Sequence, residues 1–244
     1  MTIALVTGGG AGIGAACARR LGQEATVVVI DRDGAAAELT AEMIRTEGGR
    51  ATALVADVSD SGAVDAAIDR VVSDFGTLDI AVNNAGISGA QCGVADLTDD
   101  QWRETRGINL DGVFYCMRAE LRQMRRQGAG VIVNMASILS VVAWPAAAAY
   151  TSAKHGVLGL TRSAAIDYAR EGIRINAVGP GFISTDLVRN ALDDATYAAL
   201  ADLHPRGRMG SPEEVADLVA FLASDRAANI TGGFFPIDGG FTTR

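Results

Sequence analysis

The chain has 244 residues, 21 basic against 29 acidic side chains, a formal net charge of -8, and is 49% hydrophobic but only 5% aromatic. This composition is remote from disorder and supports one sizeable core; its acid excess argues against a protein that holds nucleic acid, whose phosphates need clustered Lys and Arg. The one dense basic run, Arg118 to Arg126, has Glu120 inside it and reads as a solvated helix end.

Short β-branched runs predict strands at Ile3–Thr7, Thr26–Ile30, Thr52–Ala56, Leu78–Asn83, Val131–Met135, Arg174–Val178 and near Phe235–Ile237. Helical periodicity falls over 12–22, 34–47, 60–75, 100–127, 149–171 and 211–224. Such alternation predicts an α/β fold: a single-domain, Rossmann-like, doubly wound, mostly parallel seven-stranded sheet with helices on both faces. Burial of both faces explains why Val27-Val28-Val29-Ile30 is continuously apolar. The least regular segment, 182–210, follows a late strand and is expected to be a lid over the carboxyl edge of the sheet, where such folds bind ligands.

Met1 is followed at once by strand-like residues, which leaves no room for a secretion signal. The longest apolar stretch, Ile138 to Ala149, is broken by Ser140 and Pro145 and is shorter than the ~20 residues of a membrane span. Cys17, Cys92 and Cys116 are odd in number and too widely spaced for a metal or redox motif. A cytoplasmic protein with reduced thiols and no bound metal is expected.

After the first strand, Thr7-Gly8-Gly9-Gly10-Ala11-Gly12-Ile13-Gly14 opens directly into a helix. Glycines in that position let the backbone turn tightly and approach a pyrophosphate lying on the helix N-terminus. The second strand ends at Asp31, close to the spacing of a carboxylate that takes adenosine ribose hydroxyls. A carboxylate there repels a 2′-phosphate, and the loop carries no Lys or Arg to neutralise one. Arg32, beside two aspartates, is expected to be paired or solvent-facing. The expected cofactor is NAD, not NADP.

Of 21 basic residues, 20 are arginine; the single lysine is Lys154, in Tyr150-Thr151-Ser152-Ala153-Lys154. On a helix these two side chains share a face. A lysine is a compact charge with three donors, where arginine is a broad planar fork. A tyrosine serving as a base near neutrality must titrate about 2–3 pH units below its usual ~10, or ~3–4 kcal/mol. A positive charge at ~4–5 Å in an effective dielectric of ~20 supplies about that much.

The loop at 7–14, Asn83-Asn84-Ala85-Gly86, Asn109, Ser137, the Tyr150/Lys154 pair, Pro180-Gly181, and Ile230-Thr231-Gly232-Gly233 with Ile237-Asp238-Gly239-Gly240 occur in the order found in the short-chain dehydrogenase/reductase family, which the chain resembles. The resemblance implies that Tyr150 is the general acid/base, that Ser137 hydrogen-bonds the same substrate oxygen, and that Lys154 holds the nicotinamide ribose and lowers the Tyr150 pKa. It makes Asn109 the holder of a water that relays protons to Lys154, with a purely structural polar network as the alternative. Gly8, Gly12, Ile13, Gly14 and Asp31 would bind the dinucleotide. Asn83, Ala85 and Gly86 would flank its adenosine ribose, and Asp57 and Val58 its adenine, unless Asp57 is a helix cap. Pro180 and Gly181 would wall the nicotinamide, with Ile183 and Thr185 on its carboxamide.

Neither histidine suits proton transfer, and His204 is expected on the lid surface. Ser88-Gly89, Ile138-Leu139, Trp144, Phe182 and the lid form a mostly apolar wall. Arg189, Arg206 and Arg208 would change that only if free to meet an anion. The expected reaction is hydride transfer between NAD(H) and a hydrophobic secondary alcohol or ketone. An NADPH-dependent 3-oxoacyl-thioester reductase and a non-catalytic dinucleotide sensor are the alternatives. The resemblance also implies a homotetramer built through the helices at 100–127 and 152–170 and the C-terminal segment.

Overall fold

The computed structural model describes residues 1–191 and 193–243; Leu192, within the 182–210 segment, and Arg244 lie outside them. In chain order the strands are β1 (Ile3–Thr7), β2 (Thr26–Asp31), β3 (Arg50–Val55), β4 (Ile80–Asn83), β5 (Gly130–Met135), β6 (Ile173–Pro180) and β7 (Phe234–Ile237). They form one sheet in the order β3-β2-β1-β4-β5-β6-β7. Every neighbouring pair is parallel, where a mostly parallel sheet was expected. The order reverses between β1 and β4, and that switch point opens a crevice at the carboxyl ends of the strands.

The helices are α1 (Gly12–Leu21), α2 (Gly34–Thr46), α3 (Ser61–Phe75), α4 (Asp99–Arg106), α5 (Gly112–Gln127), α6 (Ala148–Tyr168), α7 (Asp186–Ala191), α8 (Asp194–Asp202) and α9 (Pro212–Ala223). Alternation along β1 divides the core. Ile3 and Leu5 face one side with residues of α3, α5 and α6; Ala4 and Val6 face the other with α1, α2 and α9. Several helices start where short polar side chains accept the first free N–H groups. Asp33 starts α2 and Asp60 starts α3, while Thr98 and Ser211 form reciprocal capping boxes with Gln101 and Glu214.

The helix expected over 100–127 is broken in register. Between α4 and α5 one π-turn, Gly107–Asp111, widens the spiral, so that the Gly112 N–H reaches the Gly107 carbonyl. This turn carries Asn109. Gly112 sits where α5 presses on the segment after β3; a Cβ there would lie 2.9 Å from Val58 Cγ2. No helix among the described residues is long and apolar enough to cross a membrane.

Candidate active site

β1 delivers Thr7 to the crevice, and the chain turns through Gly8, at φ 60°, and Gly12, at φ 53°, into α1. A Cβ on Gly14 would overlap the Gly8 carbonyl oxygen, and one on Gly8 would lie 2.8 Å from Ala85 Cα. Only glycine allows this closeness. Ala11, before α1, supplies no side-chain cap, so the first N–H groups of the helix, from Gly12, Ile13 and Gly14 onward, keep their capacity for an anion. Asp31 is fixed against the loop: Gly10 N donates to its Oδ2 at 3.0 Å and Asp33 N to its Oδ1 at 3.0 Å.

The neighbouring loop is locked to this one by residues that sequence reasoning passed over. Asn84 Nδ2 donates to the carbonyls of Thr7 (3.1 Å) and Gly8 (3.0 Å), while Thr7 Oγ1 accepts from Asn84 N and Ala85 N at 3.1 and 3.2 Å. Asn83 departs from expectation. Its side chain is buried and points into the core, where Nδ2 donates to Glu120 Oε2 and Asn134 Oδ1, so only its backbone is left for a ligand.

At the end of β3, Asp57 is not a helix cap; that role belongs to Asp60, which accepts from Gly62 N at 2.8 Å and Ala63 N at 3.2 Å. Asp57 instead accepts from Ser59 Oγ (2.7 Å) and Ser59 N (2.9 Å), and these bonds, followed by the charge of Arg32, hold its carboxyl below the usual range. Val58 turns its side chain into the core.

Past β5, Ser137 opens a short 3₁₀ turn, its Oγ accepting from Leu139 N at 3.1 Å. Ser140 closes the turn by accepting from Ser137 N (3.3 Å) and donating to the Lys154 carbonyl at 2.8 Å. The turn is thereby pinned to α6, whose one face carries Tyr150 and Lys154. Lys154 is buried; its Nζ donates to the Met135 carbonyl at 2.8 Å and lies 5.5 Å from the Tyr150 ring centroid.

Electrostatically the pair differs from the expected one. Burial pushes the Tyr150 phenol above its ordinary 10, with hydrogen bonding to Ser137 working in the opposite direction. Burial likewise lowers the Lys154 ammonium to about 8. Lys154 Nζ is directed at the Met135 carbonyl, and burial is the largest influence on both groups.

Asn109 is fully buried and its side chain is already committed: Oδ1 accepts from Ile87 N at 2.9 Å and Nδ2 donates to Ile87 O at 2.8 Å. Its amide therefore clamps the chain after β4. Gly86 leaves the space for this clamp, since a Cβ there would lie 2.6 Å from Asn109 Oδ1.

From the end of β6, Pro180 and Gly181 lead into Phe182. Ile183 bridges to Gly210, and Ser184 N donates to Gly210 O at 2.8 Å, so the 182–210 segment closes on itself. Thr185 starts α7, accepting from Val188 N, and its methyl group is the nearest atom to the space beside Gly12. His204 is buried, not on the surface as expected: it joins Phe182, Trp144 and Phe241 in one ring cluster, with Phe182 at 5.3 Å from Trp144, 5.8 Å from His204 and 6.0 Å from Phe241. Asp238 holds Phe241 in place by accepting from Gly240 N, Thr242 N and Thr242 Oγ1. Two lid cations are engaged, Arg189 with Ser184 Oγ at 2.9 Å and Arg208 with Glu214 at 2.9 Å. Beside Trp144 and the start of α6 lies a cavity of about 330 Å³, lined mainly by small apolar residues together with Cys92, Thr151 and Ser152.

A family model described as enoyl-(acyl carrier protein) reductase matches residues 8–242. The chain is 42% identical over 243 residues to a cyclohexanol dehydrogenase of Acinetobacter sp. (strain SE19), covering 99% of this chain and 95% of that one. It is 41% identical over 239 residues to a 3-oxoacyl-[acyl-carrier-protein] reductase of Staphylococcus aureus (strain Mu50 / ATCC 700699), covering 97% and 96%. The crystal structure of a levodione reductase superposes with a TM-score of 0.96 at 37% identity, covering 99% of this chain and 98% of that one. With the glycine cradle, the seven parallel strands and the Ser137, Tyr150 and Lys154 grouping in place, the chain belongs to the short-chain dehydrogenase/reductase family.

Proposed function

We propose that the protein is an NAD-dependent dehydrogenase acting between hydrophobic secondary alcohols, cyclic ones foremost, and their ketones. The observation that carries this reading is the placement of Tyr150 and Lys154 on one face of α6, with Ser137 beside the phenol, at the edge where the ring cluster of Trp144, Phe182 and Phe241 supplies an apolar wall. The names of the cyclohexanol dehydrogenase and the levodione reductase favour a six-membered ring as substrate. The engagement of Arg189 and Arg208 argues against an anionic substrate, and Asp31 argues against the NADPH-dependent thioester reductase.

A dinucleotide suits the residues present: the glycines leave room for a pyrophosphate, Asp31 offers a carboxylate, and buried Lys154 has hydrogens beyond the one given to Met135. The backbones at Val58, Asn83, Ala85, Gly86 and Ile183, with Pro180, Gly181 and the Thr185 hydroxyl, would complete its binding. When bound, the nicotinamide supplies the hydride acceptor or donor.

The chain's own residues do the rest. Ser137 donates to the substrate oxygen and fixes its position. Tyr150, as the phenolate, takes the alcohol proton in oxidation and, as the phenol so formed, gives a proton to the ketone oxygen in reduction, a contribution of about 10²–10⁴-fold. Lys154 anchors the ribose and, when charged, favours the phenolate. The Asn109 clamp keeps the 83–87 loop at the correct height.

Exposed Phe114 and Ile166, on α5 and α6, favour a homotetramer built through those helices, which sedimentation would measure. The free state of Cys17, Cys92 and Cys116 favours the cytoplasm. The test of the function is a substrate panel with NAD. Cyclic and aryl secondary alcohols should outperform short hydroxy acids, and a preference for the charged acids would overturn the reading.

A further inference from the structure

Glu120 is fully buried in α5, and among the described residues it has no cationic partner. Its neighbours form a directed chain of hydrogen bonds. The Thr161 hydroxyl gives its hydrogen to Val157 O at 2.8 Å, so it accepts from Asn134 Nδ2 at 2.9 Å. Asn134 Oδ1 must then accept, and does so from Asn83 Nδ2 at 3.0 Å; the other Asn83 Nδ2 hydrogen goes to Glu120 Oε2 at 3.0 Å. Asn83 Nδ2 is thus the donor in both directions, to Glu120 on one side and, through Asn134 and Thr161, towards Val157 O on the other. Two buried acceptors are left over, Asn83 Oδ1 and Glu120 Oε1, on the very residues already joined by one bond. Two unpartnered acceptors in a dry interior are costly, and one hydrogen shared between them would satisfy both.

We propose that Glu120 is a positioning residue: a neutral carboxylic acid whose Oε1–H donates to Asn83 Oδ1, closing a paired ring that holds the end of β4 and thereby the Asn84–Gly86 loop against the glycine cradle. The surroundings agree. Leu5, Ile30, Val64 and Ile68, from β1, β2 and α3, face a void of only about 10 Å³ beside Glu120, room for one water at most and walled by apolar groups, which leaves a charge poorly hydrated. Among the residues lining this void the one other titratable group is Cys116, on the same helix, whose thiol burial holds well above its ordinary value. Burial raises the Glu120 carboxyl from 4.5 to about 8. The folded chain then keeps a proton that the unfolded chain has lost, so this contribution to stability is full below the ordinary carboxylate range and drains away as pH rises to about 8.

The consequence for cofactor binding rests on the dinucleotide reading above; the location of the proton does not. The experiment compares wild type with Glu120→Gln, whose amide N–H replaces the acid's O–H at every pH. Infrared difference spectra at about pH 6 should show a protonated-carboxyl band in wild type that Glu120→Gln lacks. The wild-type melting temperature should fall relative to Glu120→Gln by about 3 °C per pH unit between about pH 5 and 8, and no further above that. The wild-type KM for NAD should rise several-fold from about pH 7 to 9 while that of Glu120→Gln stays flat, with matching kcat at about pH 7. A carboxylate band at about pH 6, parallel melting profiles, a failure of Glu120→Gln to fold, or a KM that moves alike in both proteins would each overturn the proposal. Absence of NAD binding by wild type at every pH would count against the dehydrogenase reading, and the infrared and melting measurements would still decide on Glu120.

Discussion

Replacing Asp31 should reverse the choice between the two nicotinamide dinucleotides, and the size of the effect follows from its position. The carboxylate is held by Gly10 N and Asp33 N, each at 3.0 Å, and cannot swing clear of a group bound on the glycine loop. A 2′-phosphate carries about 1.5–2 negative charges. At ~5 Å and an effective dielectric of ~40 the repulsion is ~1.7 kcal/mol per unit pair, or ~3 kcal/mol in all. Loss of charged hydrogen bonds to the ribose takes about 2 kcal/mol from NAD. Asp31→Ala should therefore shift the ratio of kcat/KM for NADP over NAD by roughly three to four orders of magnitude, since each 1.4 kcal/mol is tenfold. Asp31→Asn retains an acceptor for Gly10 N without the charge and should recover only the electrostatic share, about a hundredfold. Initial rates with both cofactors at fixed alcohol give the ratios. A wild type that uses NADP as well as NAD, or ratios that move less than about tenfold in both variants, would refute the reasoning.

Lys154→Arg keeps the charge but puts a planar fork where a compact ammonium meets Met135 O, and should lower turnover at least ~10²-fold with weaker NAD binding; steady-state rates with dinucleotide titration check this. Because burial holds the Tyr150 phenol above its ordinary value, kcat/KM for alcohol oxidation should climb as pH rises into the alkaline range, and a pH profile lacking that limb would contradict the assignment. Gly14→Ala drives a methyl group into the Gly8 carbonyl and should abolish dinucleotide binding or folding, as calorimetry would record.

The strands and most helices were legible because both periods are strongly marked, as in the continuous Val27–Ile30 run of a strand buried on both faces. What the residues concealed was tertiary. The π-turn left only a faint trace, Gly107 and Gly112 five apart around Asn109. Glu120 looked like part of a charged surface run, yet helical spacing already placed it on the apolar stripe of Val113, Cys116, Met117 and Met124, and that stripe decides its burial. His204 was read as exposed because its ring neighbours, Phe182 and Phe241, come from two segments remote in sequence, and nothing local announces them. At the site, the helix pair was found by spacing and the turn serine through the family resemblance. The direction of the Tyr150 shift was not legible, because it is set by how deeply the phenol itself is buried, which is a tertiary property.

The most direct measurement is a comparison of Tyr150→Phe with wild type, pairing NADH binding by fluorescence titration with turnover of a cyclic secondary alcohol. Removing one hydroxyl should leave NADH affinity within a few-fold and lower kcat by about 10²–10⁴-fold. Turnover within about tenfold of wild type would contradict the assignment of Tyr150 as the proton-transfer group.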